Sequence, residues 1–334
     1  MSETPSPNAR RSRLVALTAV VACVAATGGI GAWLLLGSDG DSKSCEGLLQ
    51  DKHIHEALGD NYRVGMSCSE FGAAISKATV GPVPGQHSLQ QAQAMKVVLI
   101  AVEDNLESTG GRLDPILSEP LAESLADYAA DTDVMLGIGN ADYVSNSLPS
   151  KPSWEDSDGV HMAVPRASLL RTVRAVSEEP TAYVVLRMAA TRHAAEGLAA
   201  VERDTTGAEL SAPPARNART LGALDAVAAD IRRDLGENQA PQWERDVFEG
   251  LTKKIPEPPS YSNAPVNHLV GSWQQTLLAD GAKNSSTALE EQSADMVDAW
   301  GKALRLDSKV QSSLRKDALD SSYHSRSDTL RELD

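Results

Sequence analysis

Residues Leu14 to Leu36 carry no charged side chain across 23 positions, and they directly follow Arg10-Arg11-Ser12-Arg13. A helix of that length reaches about 34 Å, enough to cross a hydrocarbon core of about 30 Å. Such a helix satisfies its own backbone in lipid. Gly28, Gly29 and Gly31 are poor choices for a helix in water but are tolerated in lipid and allow close packing. Trp33 stands near the far end, at headgroup depth. Arginines precede the stretch and Asp39 and Asp41 follow it, so the positive-inside bias predicts a cytoplasmic tail over 1–13, a transmembrane helix over 14–36 and residues 37–334 outside. Two other fates compete. A cleaved signal peptide has an apolar core of about 7–15 residues, shorter than this one. Val20-Val21-Ala22-Cys23 resembles a lipobox, which would anchor the chain through an acylated Cys23. Residues 24–36 stay apolar, whereas a mature lipoprotein soon turns polar. Arg10-Arg11 also resembles a twin-arginine signal, interrupted here by Arg13.

The segment beyond the anchor is long enough for one large or two modest domains. Its core must come mainly from aliphatic residues, since aromatics are 4% of the chain. That favours helices packed through Ala over a β-sandwich. Net charge is −15, and the exterior part is more acidic still, because residues 1–36 hold Glu3 against three Arg. Such a surface repels nucleic acid and anionic headgroups.

Cys45 and Cys68 both fall outside the membrane segment, where disulfides persist. A bridge between them closes a loop of about 24 residues and stabilises by roughly 3 kcal/mol in the chain-entropy picture.

The pattern along the chain predicts an all-α architecture: a helical-bundle extracytoplasmic domain on a single N-terminal transmembrane helix. Residues 37–80 read as a Cys-stapled unit, with helices at 46–58 and 69–77. Residues 88–255 read as the main helical domain. Its helices run from Ser88 to Gly110 (stripe Met95, Leu99, Val102, Leu106), over 118–136, 166–177, 179–203, 217–235 and 242–254. Residues 138–164 lack periodicity and read as a long loop, of the kind that carries function or is disordered. Residues 204–215 read as a second loop. Residues 256–265 are a Pro-rich linker. Residues 266–334 hold helices at 266–279 and 286–305, a weak charged helix at 308–320 and a frayed end.

Motifs that carry chemistry are sparse. His53-Ile54-His55-Glu56 places its histidines two apart, on different sides of a helix, rather than at the i, i+4 spacing of a zinc pair. Asp131-Thr132-Asp133 and Asp156-Ser157-Asp158-Gly159 have calcium-turn character, but the second lacks the downstream bidentate Glu. Ser313-Leu314-Arg315-Lys316 has the serine–lysine spacing without its companion motifs. His193 lies on an apolar helix stripe and His161 in the long loop. No cofactor or metal is implied, and no catalytic set emerges.

Leu169-Leu170 is followed by Pro180-Thr181-Ala182-Tyr183, opening an Ala-rich helix, and by Leu221-Gly222-Ala223-Leu224-Asp225, opening the next. Through them, about residues 88–250 resemble actinobacterial helical proteins of unknown function that accompany WXG-type (type VII) secretion or the cell envelope. That resemblance implies an envelope setting and no activity. The chain lacks the Trp-x-Gly turn and the C-terminal Tyr-x-x-x-Asp/Glu signal of secreted WXG partners.

The sequence therefore predicts a membrane-anchored helical interaction or scaffold protein of the bacterial envelope, not an enzyme. It would bind a protein partner through 138–164, with Tyr143 and Trp154 as aromatic anchors. The alternatives are an envelope enzyme with a site near His161, His193 and that loop, and a secretion- or toxin-immunity-associated factor.

Overall fold

Side-chain caps decide where several of the helices begin, and some begin or break away from the positions that periodicity predicts. The structure is a computed structural model that describes residues 41–137, 140–253 and 255–334. The tail, the expected membrane helix at 14–36 and Cys23 lie outside the described residues. Among the described residues no helix is long and apolar enough to cross a membrane.

Asp51 accepts hydrogen bonds from the amides of His53 and Ile54 and so starts a new helix. The helix predicted over 46–58 is therefore two, α1 (Asp41–Leu49) and α2 (Lys52–Leu58). Reciprocal capping boxes, Ser67 with Glu70 and Ser88 with Gln91, open α3 (Cys68–Thr79) and α4 (Leu89–Thr109). Gly110, at φ 70°, closes α4; only glycine adopts that left-handed turn without strain. Asp114 caps α5 (Pro115–Asp127) ahead of the predicted start, which leaves Pro120 inside the helix. Tyr128 then breaks the chain before α6 (Ala129–Leu136), so the single helix predicted over 118–136 is also two.

The stretch predicted as structureless holds a short helix and a hairpin. Asn140 caps α7 (Ala141–Asn146). Strand β1 (Trp154–Glu155) runs antiparallel to β2 (Val160–His161), with Trp154 opposite His161 and Glu155 opposite Val160. Two residues per strand are too few for alternation to register in sequence. Helices α8 (Arg166–Val176) and α9 (Pro180–Ala199) follow as predicted. The 204–215 loop is shorter than predicted, because α10 (Ala208–Thr252) starts at Ala208. It absorbs Pro213-Pro214 at the cost of two backbone bonds. At Gly236 the backbone leaves the helix (φ 65°, ψ −175°), dividing α10 into two arms. Then come α11 (Pro265–Asp280), α12 (Ser285–Glu290), α13 (Gln292–Leu304) and α14 (Ser308–Leu333).

Helix α14 corrects the prediction of a frayed end. It packs along the first arm of α10, where Ser325 donates to the Arg219 carbonyl at 2.6 Å. A Cβ built on Gly222 would stand 2.2 Å from the Ser322 carbonyl oxygen, so the two backbones meet where there is no side chain.

Apart from the four-residue sheet, the described chain is helices and connections. One hydrophobic cluster runs from Cys45 on α1 to Ala318 on α14. Trp273 and Trp300 are fully buried in it. Cys45 and Cys68 form a disulfide, Cα to Cα 6.0 Å, tying α1 to the start of α3.

Candidate functional site

Polar side chains on α4, α5 and α6 hold residues 140–164 from beneath. Asp131 on α6 is buried and collects three donors. The Tyr143 hydroxyl donates to its Oδ1 at 2.5 Å, His161 Nδ1 meets the same oxygen at 2.9 Å, and the Met162 amide donates to Oδ2 at 3.0 Å. On its other side, His161 Nε2 lies 3.0 Å from Asp156 Oδ1. An imidazole with a carboxylate at each nitrogen is a double donor, the protonated form. Burial alone would lower the His161 pKa, but the hydrogen bonds and charges of Asp131 and Asp156 outweigh it and the net shift is upward. The Tyr143 phenol is pushed up by burial and by Asp131. The two rings and Trp154 form an aromatic corner, with Tyr143 edge-on to Trp154 at 5.0 Å and Trp154 5.4 Å from His161.

A second histidine grips the hairpin from the side. His87 Nε2 lies 3.1 Å from the Val160 carbonyl, and its ring stacks on Tyr128 at 3.9 Å. Asp127 orients it at 3.4 Å from Nδ1 and accepts from the amides of Gly81 and Gly85. Lys96 on α4 is fully buried. Its ammonium donates to the carbonyls of Asn146 (2.6 Å) and Lys151 (2.7 Å), at the end of α7 and in the turn beyond. Burial lowers its pKa to about 8. Gln93, one turn earlier, accepts from the Ser153 amide.

The structure brings together three of the residues singled out in the sequence, Tyr143, Trp154 and His161. It turns them inward: Tyr143 is buried and Trp154 half-buried against the core. The loop displays other residues. Val144 is 67% exposed and Leu148 53%. Asp131 and Asp156, read as calcium-type ligands, both bind His161 instead. His193 stands apart on α9, 3.9 Å from Asp133 and 3.8 Å from Glu196, and the neighbouring Glu196 carboxylate leads in raising its pKa. His55 stacks on Tyr62 and bonds the Leu49 carbonyl, so the His53/His55 pair does not converge. Among the described residues one grouping has metal-ligand proximity, Cys45, Cys68 and Asp114, and its two sulfurs are bonded to each other.

Lys96, His87 and Asp127 escape sequence reasoning. Lys96 alone leaves a trace, a single charge within the apolar run from Ala94 to Val102. Asp131, His161, His87 and Lys96 are each bonded to another part of the chain. As chemistry the arrangement is a clamp that fixes a short helix in place. In comparisons with known proteins, no family model, no curated protein and no solved structure matches this chain.

Proposed function

We propose that this chain is a single-pass membrane protein, with its N-terminus cytoplasmic and residues 37–334 extracytoplasmic, whose helical unit binds a protein partner at the cell envelope through α7 and the turn after it. The observation that carries this reading is the contrast within 140–164. The inward side is fastened by Asp131, His161, Tyr143 and Lys96, and the outward side offers Val144 and Leu148. Apolar side chains on a fixed support contribute more to binding than mobile ones, because little entropy is lost on docking. Tyr143 and Trp154 then act as positioning residues beneath the contact. The 14–36 stretch supplies the membrane attachment, and the acidic surface disfavours nucleic acid as a partner. The resemblance of residues 88–250 to envelope-associated helical proteins agrees with this setting.

The test is capture from native membranes after cross-linking, with the full-length chain as bait. Val144→Asp combined with Leu148→Asp should abolish stoichiometric recovery of the partner while leaving the melting temperature unchanged. Val64→Asp, at a 92% exposed position outside this segment, should change neither. Equal recovery by the double variant and the wild type would refute the assignment.

A further inference from the structure

Asp127 and Asp131 flank the Tyr128 break between α5 and α6, and their side chains are only 4% and 3% exposed. A buried carboxylate is costly to leave without an opposite charge. Among the described residues neither pairs with a lysine or an arginine; each meets a histidine. His87 has Asp127 Oδ2 at 3.4 Å from Nδ1 and the Val160 carbonyl at 3.1 Å from Nε2. His161 stands between Asp131 and Asp156. All four of these neighbours are acceptors. A neutral imidazole has one N–H and serves one of its two acceptors; only the protonated ring serves both.

The two rings act on the same strand. Val160 gives its carbonyl to one, and His161 carries the other, so both fasten β2. That strand pairs only with the two residues of β1, and an isolated hairpin is marginal in water even when longer. β2 therefore keeps its place against α5 and α6 through these side chains, together with the Met162 amide on Asp131 Oδ2. We infer that residues 140–164 are a proton-operated latch: the segment is closed while His87 and His161 both carry two N–H groups, and it opens locally from the helices as they lose those protons.

The groups around the rings set the sign. Facing His161 are Asp131 from α6, Asp156 from the hairpin turn and the Tyr143 phenol from α7. Facing His87 are Asp127 from α5 and the Tyr128 ring. Burial would raise the Asp127 carboxyl, but the bonds from His87 and from the Gly85 and Gly81 amides outweigh it and hold it below the usual range. The Asp158 amide leads in lowering Asp156. These carboxylates stay ionised through the histidine range, so the imidazoles are the groups that give up protons. The closed state binds more protons than the open one, and opening follows a rise in pH. Helix α4 adds Lys96, fully buried beneath the turn after α7. Burial lowers it to about 8, so its closed form binds fewer protons than its open form. Lys96 thus favours closing as pH rises above about 8 and is not the source of the opening. For the α7 contact proposed above, the consequence, which alone rests on that reading, is weaker partner binding at alkaline pH.

The experiment is hydrogen–deuterium exchange of the full-length protein in mild detergent, read by mass spectrometry from pH 5.5 to pH 8 and corrected for the intrinsic exchange rate. It needs no partner. Protection of the peptide spanning 154–162 should fall about tenfold or more over that range, the effect of losing one charge-assisted bond. Helix α3, which holds no histidine, should keep its protection. Asp156→Asn retains an acceptor at a half-exposed position and removes its charge, so it should move the fall to lower pH. His87→Gln combined with His161→Gln leaves neither position titratable and should remove the fall. Wild-type protection that does not change with pH, an unmoved midpoint in Asp156→Asn, or an equal fall in the double variant would overturn the assignment.

Discussion

His161 shows how one side chain sets the behaviour of the segment around it. Its folded-state pKa is raised above that of the unfolded chain. The stabilisation it supplies is therefore complete below the ordinary histidine value of about 6.5 and is lost as pH rises through the raised folded value. His161→Phe keeps a ring in the aromatic corner but removes both donors. It should lower the melting temperature clearly at pH 5.5 and much less at pH 8.5; a pH-independent difference would show that the ring matters only as bulk. Little of this clamp is legible in the sequence. Asp131 and Asp156 lie 30 and 5 residues from His161, and a lone acidic residue in a list gives no sign of which histidine it will meet. His87 reaches Val160 across 73 residues. Tyr143 and Trp154 stand out as aromatics in a polar stretch, but the same aromaticity draws them inward once a core edge is available.

Helices with a strong apolar stripe are legible, and those built from small residues are not. Met95, Leu99, Val102 and Leu106 announce α4, and all four are buried. In α14 the buried positions are Leu314, Ala318, Ser322, Ser325 and Thr329. Their spacing is helical, but three are polar, so no stripe registers by hydrophobicity. They are buried because small side chains let two backbones approach, and Gly222 on α10 is the matching gap. Gly222→Ala should force the helices apart and destabilise by about 1–3 kcal/mol, the usual cost of overpacking, measurable by chemical denaturation. An unchanged midpoint would mean that α14 can slide without loss. The breaks at Asp51 and Tyr128 are missed for a related reason: the apolar pattern continues across them, and one residue off helical geometry decides the break locally; the interruption after Leu235, where the backbone leaves the helix at Gly236, is legible.

At the scale of the molecule, the α1–α3 segment belongs to the same hydrophobic cluster as the rest. The Cys45–Cys68 bridge fastens the beginning of that cluster. Cys45→Ser with Cys68→Ser should cost roughly 3 kcal/mol and lower the thermal midpoint by roughly 5–10 °C. Addition of a reductant to the wild type should reproduce that shift, and a double variant as stable as the wild type would contradict it.

The place of α14 in this cluster has a consequence for how the chain is made. Its docking surface on α10 lies about 100 residues upstream, where Ser325 bonds Arg219 across 106 positions, and Arg166 at the start of α8 bonds Thr329 across 163. Synthesis is vectorial, so a trough along α10 stays open while the following segment is added, and α14 fills it when it emerges. Until then the nascent chain offers a helix-shaped vacancy to any amphipathic segment nearby, its own or a neighbour's. The time between the emergence of α10 and of α14 is therefore the period in which this protein most needs a chaperone.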